Sequence, residues 1–157
     1  MVVMRVVLRP ATSNDAELLL EWRNDRETRA SSRSTAPVSA AEHERWLATT
    51  LARADRRLYV GLLDGEPCGF ARLDLEEGGE AEISVAVAPK LRERGVGRSL
   101  IRAAAAAAFD AEIRRVRAEI KPDNAASLRA FESVGFEREE SRNGMIVMVL
   151  ANEPPSG

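Results

Sequence analysis

Apolar and polar residues alternate along this chain with the two periods typical of strands and of amphipathic helices. Strands are predicted over Val2–Leu8, Leu58–Leu63, Pro67–Leu75, Ala81–Val87 and Arg115–Lys121, with a final hairpin over Phe136–Leu150. Helices are predicted from Ala16 through Trp22, from a cap at Ser39 to about Ala52, from about Val96 to Phe109, and from a cap at Asp123 or Asn124 to about Val134. The elements therefore follow the order βααβββαβαββ.

Short glycine-containing pairs mark the turns between the strands. Asp64-Gly65 and Asn143-Gly144 predict two-residue hairpins, and Gly78-Gly79 joins the third strand to the fourth. Three consecutive strands then form an antiparallel meander, which is followed by one strand-helix-strand crossover. The predicted class is α+β, with a central mixed, mostly antiparallel sheet of about seven strands and four helices.

Length and composition fit one folded domain. The 157 residues correspond to a single domain, predicted over residues 1–151 and followed by a tail over residues 152–157. A composition of 45% hydrophobic and 31% charged residues excludes a disordered or linker protein. The apolar start is interrupted by Arg5 and closed by Arg9, so we expect neither a signal peptide nor a membrane-spanning helix, and no membrane partner.

Charge and cysteine content narrow the function classes. The 23 basic and 25 acidic residues give a net charge of −2, which argues against a nucleic-acid partner but allows a small anionic ligand in a local basic pocket. Cys68 and His43 are the single residues of their types, so neither an internal disulfide nor a structural metal site is expected. We therefore expect a reduced, cytoplasmic, metal-free protein.

The segment between the fourth strand and the third helix has the most distinctive chemistry. It reads Val87-Ala-Pro-Lys-Leu-Arg-Glu-Arg-Gly-Val-Gly-Arg-Ser99, with two glycines and four cations at the start of a helix. The first amides of a helix have no partner within it, and glycines let the backbone approach an anion closely. The segment matches neither the Rossmann nor the P-loop fingerprint. It predicts a pyrophosphate site, with a plain turn and solvated arginines as the alternative.

The same segment resembles the Arg/Gln-x-x-Gly-x-Gly/Ala motif of GNAT acetyltransferases. A second family motif follows, from Asn124-Ala-Ala-Ser127 to Gly135-Phe136, and the element order is that of the family, so the resemblance spans roughly residues 2–150. It implies a GNAT fold, acetyl-CoA as cosubstrate and a small-molecule primary amine as acceptor. The residues implied to bind the pyrophosphate are Arg92, Arg94, Gly95, Val96, Gly97, Arg98 and Ser99.

The resemblance also implies where the rest of the cosubstrate lies. The fourth and fifth strands are expected to splay where a bulge interrupts their pairing, which leaves backbone groups of Val85 and Val87 for the pantetheine and thioester. The Val87 amide would stabilise the oxyanion. Asn124 and Ser127 are implied to lie beside the pantetheine arm, with a simple helix cap as the alternative. Phe131 is expected to pack on the pantetheine.

Two carboxylates are candidate general bases for the amine. Glu82 resembles the base of histone-type members and Glu119 that of ribosomal-protein alanine acetyltransferases; we rank Glu82 first. Alternation along the strands does not say whether either faces the acceptor, and each also fits a solvated or ion-paired strand residue. The general acid is open, because Phe131 occupies the position of the family's tyrosine and Tyr59 lies on the second strand. The proton for the departing thiolate must then come from water, Ser127 or the substrate, or the thiolate must leave unassisted. Otherwise the acetyltransferase activity is low.

Residues in the first two helices point to the acceptor. The first helix ends in Glu-Trp22-Arg23-Asn24-Asp, and the second carries Ser-x-x-Glu-His43-x-x-Trp. These patterns resemble a GNAT subgroup that acetylates the 4-amino group of UDP-linked amino sugars and, more loosely, the ribosomal-protein N-terminal acetyltransferases. The resemblance implies that Trp22, Arg23, Asn24 and His43 bind the substrate, the tryptophan by stacking. All four also fit core or helix-end positions.

Several alternatives stay open beside an amino-sugar nucleotide as acceptor. Within enzymes, the acceptor is a protein N-terminus or another small amine, including an aminoglycoside. Outside enzymes, a CoA-binding module without catalysis fits the departure at Phe131. A homodimer through the apolar strand Met145–Leu150 also fits the pattern.

Overall fold

The computed structural model describes residues 5–31, 35–92 and 94–152. Within them, one mixed sheet contains β1 (Val6–Pro10), β2 (Arg56–Leu63), β3 (Glu66–Glu76), β4 (Glu80–Val87), β5 (Arg115–Ile120), β6 (Glu137–Arg138) and β7 (Ile146–Ala151). Its α-helices are α1 (Ala16–Asn24), α2 (Arg26–Ser31), α3 (Ala40–Ala52), α4 (Val96–Asp110) and α5 (Ala125–Val134). The strand order is β1-β2-β3-β4-β5-β7-β6, in which β4 and β5 run parallel.

The predicted α+β class and element order are confirmed, with one additional helix. Asp25 leaves the helical conformation, with φ of −58° and ψ of 138°, and ends α1. Its carboxylate then accepts a hydrogen bond from the Thr28 amide at 3.2 Å, which starts α2. A break of a single residue leaves the helical period almost intact, so the sequence pattern did not reveal it. Residues 2–4 of the predicted first strand, 32–34 of the loop before α3 and 153–157 of the predicted tail lie outside the described residues.

The helices cover two different faces of the sheet. On the first face, α4 and α5 enclose the main core, where Leu73 of β3, Ile83 of β4 and Val116 of β5 are buried. On the second face, α1 and α3 pack over β2, with Leu58 and Val60 at the centre of a smaller cluster. The second face of β4 and β5 carries mainly polar and charged side chains. The sheet therefore carries a buried apolar core on its first face, whereas its second face at β4 and β5 is mainly charged.

Glycines in the sheet let α4 approach it closely. A Cβ built at Gly61 of β2 would lie 2.7 Å from Leu100 Cδ1, and one at Gly69 of β3 would lie 3.0 Å from Leu100 Cδ2. Leu100 of α4 thus fills the space that two side chains would otherwise take. Ala104 and Ala108, from the alanine run, extend this close contact and are fully buried. This packing fixes where the first turn of α4 lies relative to β4.

The junction between β1 and α1 is held by an acidic capping group. Asp15 is buried, and its carboxylate accepts the Thr12 amide at 2.8 Å and the Arg9 guanidinium at 2.8 and 2.9 Å. The Thr12 hydroxyl in turn accepts the Asn14 amide at 3.2 Å. The Arg9 hydrogen bonds lower the pKa of Asp15, although its burial acts in the opposite direction. Thr12 and Asp15, two of the residues predicted as helix caps, therefore cap the 3-10 turn Ser13–Asp15 that leads directly into α1.

We expect Asp15→Asn to lower the free energy of unfolding at pH 7 by about 1–3 kcal/mol, because hydrogen bonds to a charged group are lost. The folded pKa of Asp15 lies below its unfolded value. Its contribution is therefore present above that unfolded value and is lost as the pH falls through the folded pKa. Urea unfolding at pH 7 and pH 3 measures this, with the exposed Asp110→Asn as control. An equal loss at both pH values would contradict the assignment.

Candidate functional site

Strands β4 and β5 pair over three rows and then diverge. Their parallel register ends at Glu82↔Arg117, although β4 continues to Val87 and β5 to Ile120. Beyond that row, β4 stays with β3 and β5 stays with β7. The sheet therefore opens into a gap at the carboxyl ends of two parallel strands, which is where open α/β sheets commonly bind ligands.

The backbone of β4 presents polar groups to this gap. The Ala88 amide donates to the Cys68 carbonyl at 2.8 Å, so the even-numbered residues of β4 form the hydrogen-bonded pairs with β3. The odd-numbered residues Val85 and Val87 point their N–H and C=O groups the other way, toward the gap. The predicted bulge is wrong, because the register between β3 and β4 continues without a shift along the whole of β4.

Helix α4 begins beside the same opening. Gly95 precedes it with φ of 80°, a left-handed conformation that favours glycine, and supplies no capping side chain. Val96 is buried and offers only its backbone, while the Ser99 amide already donates to the Gly95 carbonyl at 3.4 Å. A Cβ at Gly97 would lie 3.4 Å from Val87 Cγ2. The first amides of α4 therefore lie at the end of β4, in an arrangement that suits an anion.

The predicted cations of this segment differ in their surroundings. Arg94 and Arg98 are exposed near the start of α4. Arg92 instead forms an ion pair with Asp25, and its Nη2 donates to Thr28 Oγ1 at 3.0 Å. Its guanidinium therefore contacts α2 and Asp25, the residue that precedes α2. This placement does not support the prediction that Arg92 contacts the pyrophosphate.

Helix α5 begins on the other side of the gap, after β5. The Asn124 side-chain oxygen accepts the Ser127 amide at 3.2 Å, so Asn124 caps the helix, and Ser127 is half-buried in its first turn. Phe131 is 4% exposed and packs edge-on against Phe136, with ring centroids 5.0 Å apart. Phe131 therefore lies in the main core, and its packing on a pantetheine arm stays a prediction.

Both predicted carboxylates lie on the second face, on either side of Arg117. Glu82 is the cross-strand partner of Arg117, and Glu119 lies two residues farther along β5. The Arg117 guanidinium donates to Glu76 at 2.5 and 3.0 Å and to Glu82 at 3.3 Å. The hydrogen bond with Glu76, followed by the charges of Glu76, Glu82 and Glu119, raises the pKa of Arg117 against the opposing effect of burial. Three carboxylates surround one guanidinium, so this cluster has an excess of negative charge.

A cavity of about 610 Å³ adjoins this cluster on the second face. It is lined by Glu139, Glu140, Ser141, Arg142 and Val147. Val147 is the cross-strand partner of Glu119, which places the cavity beside that carboxylate. The pKa of Glu76 is lowered, first by its hydrogen bond with Arg117 and further by the charge of Arg142. The cavity therefore lies on the β7 side of the carboxylate cluster and has a mixed lining, because Arg142 lines it and Glu139 is ion-paired with Arg115.

Two of the predicted acceptor residues serve the helical layer itself. Trp22 is 5% exposed and stacks on Phe70, with ring centroids 6.4 Å apart. The Asn24 amide donates to the Val38 carbonyl at 2.8 Å, and its oxygen accepts the Val38 amide at 2.7 Å. Trp22 therefore belongs to the core and Asn24 ties α1 to the segment before α3, and substrate contact by either residue stays a prediction.

The other two predicted acceptor residues, His43 and Arg23, lie close together. His43 is 4% exposed and is tilted against Trp46, with ring centroids 5.5 Å apart. Burial and the positive charge of Arg23 lower the pKa of His43, and Glu44 opposes them. The imidazole is therefore buried in the helical layer, with its pKa below the ordinary value, and its contact with a substrate stays a prediction.

Sequence reasoning missed Arg117, Glu76 and Asp25 as organisers of this region. Arg117 and Glu119 were visible on one face of their strand, but only the register between β4 and β5 brings them beside Glu82. The described residues include no helix with the length and apolar character needed to cross a membrane. Across the described ranges, no group of three or more His, Cys, Asp or Glu side chains is placed to hold a metal ion.

Residues 5–137 match the family described as the acetyltransferase (GNAT) domain. The chain therefore belongs to the GNAT acetyltransferases, and the implied class of acetyl-CoA-dependent N-acetyltransferase is confirmed at the level of the family. Aminoglycoside N(6')-acetyltransferase type 1 of Klebsiella pneumoniae is 28% identical over 150 residues, which covers 85% of this chain and 75% of that protein. The relative from Serratia marcescens with the same description has the same identity and coverage.

Solved structures give the same fold. AAC(6')-Ib in complex with paromomycin and acetyl-CoA has a TM-score of 0.83 and 25% identity, covering 94% of each chain. Spermidine N-acetyltransferase from Vibrio cholerae, in complex with CoA and spermine, has a TM-score of 0.82 at 18% identity over 94% of this chain and 95% of that one. The latter likeness shows the fold alone. The finer prediction of an amino-sugar-nucleotide subgroup has no counterpart among these relatives.

Because His43 is the single histidine of the chain, its titration is directly readable by NMR. We expect a pKa below the ordinary value of about 6.5. A lowered folded pKa also means that its contribution to stability is present above the unfolded pKa and is lost as the pH falls below it. Arg23→Gln should raise the pKa, whereas Arg45→Gln, an exposed change on the same helix, should leave it unchanged. A pKa at or above the ordinary value in the parent would contradict the buried placement.

Proposed function

We propose that this chain transfers the acetyl group of acetyl-CoA to a primary amine of a small polycationic acceptor, with an aminoglycoside-like amine as the leading class. The observation that carries the proposal is the group of three carboxylates, Glu76, Glu82 and Glu119, around Arg117 beside the gap between β4 and β5. The relatives described as aminoglycoside acetyltransferases support the same class.

The residues at the gap fit acetyl-CoA. The uncapped first turn of α4 offers amides to the pyrophosphate, and the absence of a side chain at Gly97 keeps the approach open. Arg94 and Arg98 add charge there. Acetyl-CoA supplies the activated acetyl group as a thioester. The unpaired edge of β4 at Val85 and Val87 can hydrogen-bond an extended arm in the way that a neighbouring strand would.

The gap links the two faces of the sheet. The first turn of α4 packs on the first-face side chain of Val87, whereas the candidate bases lie on the second face. An acetyl group held at the carboxyl end of β4 is therefore within reach of an amine bound on the acidic side. The Val87 amide, pointing into the gap, is the donor that we assign to the oxyanion of the tetrahedral intermediate.

The geometry favours Glu119 over Glu82 as the general base, which reverses the ranking made from the sequence. Glu82 lies in the last paired row, and one of its oxygens accepts from Arg117 at 3.3 Å. Glu119 lies beyond that row, where the strands have separated, and beside the cavity at Val147. A base must reach the ammonium of the acceptor before it can take a proton. The position of Glu119 at the gap meets that condition better.

The charge of the second face favours a cation over a nucleotide sugar. Glu76, Glu82 and Glu119 surround one arginine, Arg117. Glu140 and Arg142 both line the adjoining cavity, and Glu139 is ion-paired with Arg115, so the excess of negative charge is that of the carboxylate cluster. A diphosphate linked to a sugar would bring two or more negative charges into this surface, whereas a polyamine-like acceptor is attracted to it. The helix residues that suggested a nucleotide sugar are buried or engaged elsewhere, as Trp22 and Asn24 show.

The departing thiolate has no tyrosine partner in this region. Phe131 is in the core, and Tyr59 lies on β2, which β3 and β4 separate from the gap. We therefore propose that water or the acceptor itself returns the proton.

Thiol release from acetyl-CoA, measured with aminoglycosides, polyamines, UDP-4-amino sugars and peptides with free N-termini, tests the function. We expect selective turnover with the polycationic amines, and direct calorimetric binding of CoA. Gly97→Val should weaken that binding by tenfold or more, which is roughly 1.4 kcal/mol, because a branched side chain crowds Val87 and the first amides of α4. Selective turnover of UDP-4-amino sugars would overturn the acceptor class. Binding without turnover would favour a CoA-binding module.

The choice of base is tested by two matched substitutions. Glu119→Gln should lower kcat by about 100-fold or more, as expected when a general base is removed, and should leave CoA affinity unchanged. Glu82→Gln should lower kcat less, because Glu82 mainly holds Arg117. The exposed Glu112→Gln, after α4, is the control. Full activity of Glu119→Gln together with a large loss in Glu82→Gln would restore the sequence-based ranking.

A further inference from the structure

The short helix α2 lies across the carboxyl ends of β4 and β5 and is tied to both sides of the gap. On the β4 side, Arg92 contacts Asp25 and Thr28. On the β5 side, the Lys121 ammonium donates to the Ala30 carbonyl at 2.7 Å. Because Lys121 shares the second face with Glu119, α2 borders the surface on which we place the amine.

Arg92 is built into this connection through several partners. Its Nη1 lies 3.0 Å from Glu27 Oε2, and its Nη2 bonds both the Asp25 carboxylate and the Thr28 hydroxyl. The Arg92 and Asp25 side chains are 26% and 21% exposed, whereas Glu27 is 75% exposed. Although burial acts to raise it, hydrogen bonds from Arg92 and from the Thr28 amide lower the pKa of Asp25. The Asp25 carboxylate therefore both starts α2 and anchors the loop that precedes α4.

We infer that Arg92 is a positioning residue that clamps α2 to the pyrophosphate loop, so that the amine side and the CoA side of the gap are held as one unit. It does so in place of binding the pyrophosphate itself. The inference rests on the proposed function for its account of the amine. Its physical basis, however, is the planar guanidinium fork, whose Nη2 reaches Asp25 and Thr28 while its Nη1 reaches Glu27, an arrangement that a lysine cannot reproduce.

The clamp is tested by Arg92→Gln, Arg92→Lys, Asp25→Asn and the double variant Arg92→Gln/Asp25→Asn. In Arg92→Gln, hydrogen exchange of the amides over residues 26–31 should accelerate about tenfold, while the Kd for CoA measured by calorimetry stays within about twofold. The KM for the amine should rise about tenfold without a matching rise in the KM for acetyl-CoA. Arg92→Lys should recover part of the loss, and the double variant should be no worse than Arg92→Gln alone.

The control is Arg102→Gln, an exposed arginine on α4, which should change none of these readouts. A tenfold loss of CoA affinity in Arg92→Gln with unchanged exchange over residues 26–31 would overturn the clamp and make Arg92 a pyrophosphate ligand. Additive losses in the double variant would also overturn it. Calorimetry and hydrogen exchange need no turnover, so they decide the clamp even if no amine is acetylated and the proposed function fails.

Discussion

The divergence of β4 and β5 is the constraint on which the rest of this structure depends. Each strand keeps its other neighbour to its end: β4 follows β3 to Val87, and β5 follows β7 to Ile120. The twist of the sheet then separates two strands that share three rows of pairing. The backbone groups of Val85 and Val87, which a sixth and an eighth row would have used, are left facing a gap. A ligand with amide groups can take the place of the missing strand.

The helices around the gap are held by packing against opposite faces. The first turn of α4 is fixed because Leu100 enters the space left by Gly61 and Gly69, and α5 is fixed by Phe131 and its edge contact with Phe136. On the second face, α1 is anchored through Trp22, and α2 is tied to the ends of β4 and β5 through Arg92 and Lys121. Apolar packing therefore holds the side on which we propose the pyrophosphate, whereas charged contacts hold the side on which we propose the amine.

Positive and negative charges also lie on different sides of the gap. The start of α4 combines a helix dipole with the exposed Arg94 and Arg98, so it attracts anions. The second face gathers three carboxylates about Arg117, which leaves that cluster with an excess of negative charge. The net charge of −2 shows neither local field, because positive and negative charges cancel in the sum. In the proposed function, the separation of charge across the sheet matters more than its total.

The sequence by itself determined the strands and four of the five helices, their order and the family, but not the short helix α2. These follow from local rules. They are the alternation of apolar and polar residues, the turns at Asp64-Gly65 and Asn143-Gly144, the cap at Asn124, and the two glycines at the start of α4. Only the tertiary structure decided which side chains meet. Trp22, His43 and Phe131 are apolar or amphipathic residues that suit a ligand or a core equally, and burial selected the core. Arg92 carries a positive charge that suits phosphate or carboxylate equally, and the position of Asp25, 67 residues away in the chain, selected the carboxylate. Such choices depend on contacts distant in sequence, which no local pattern encodes.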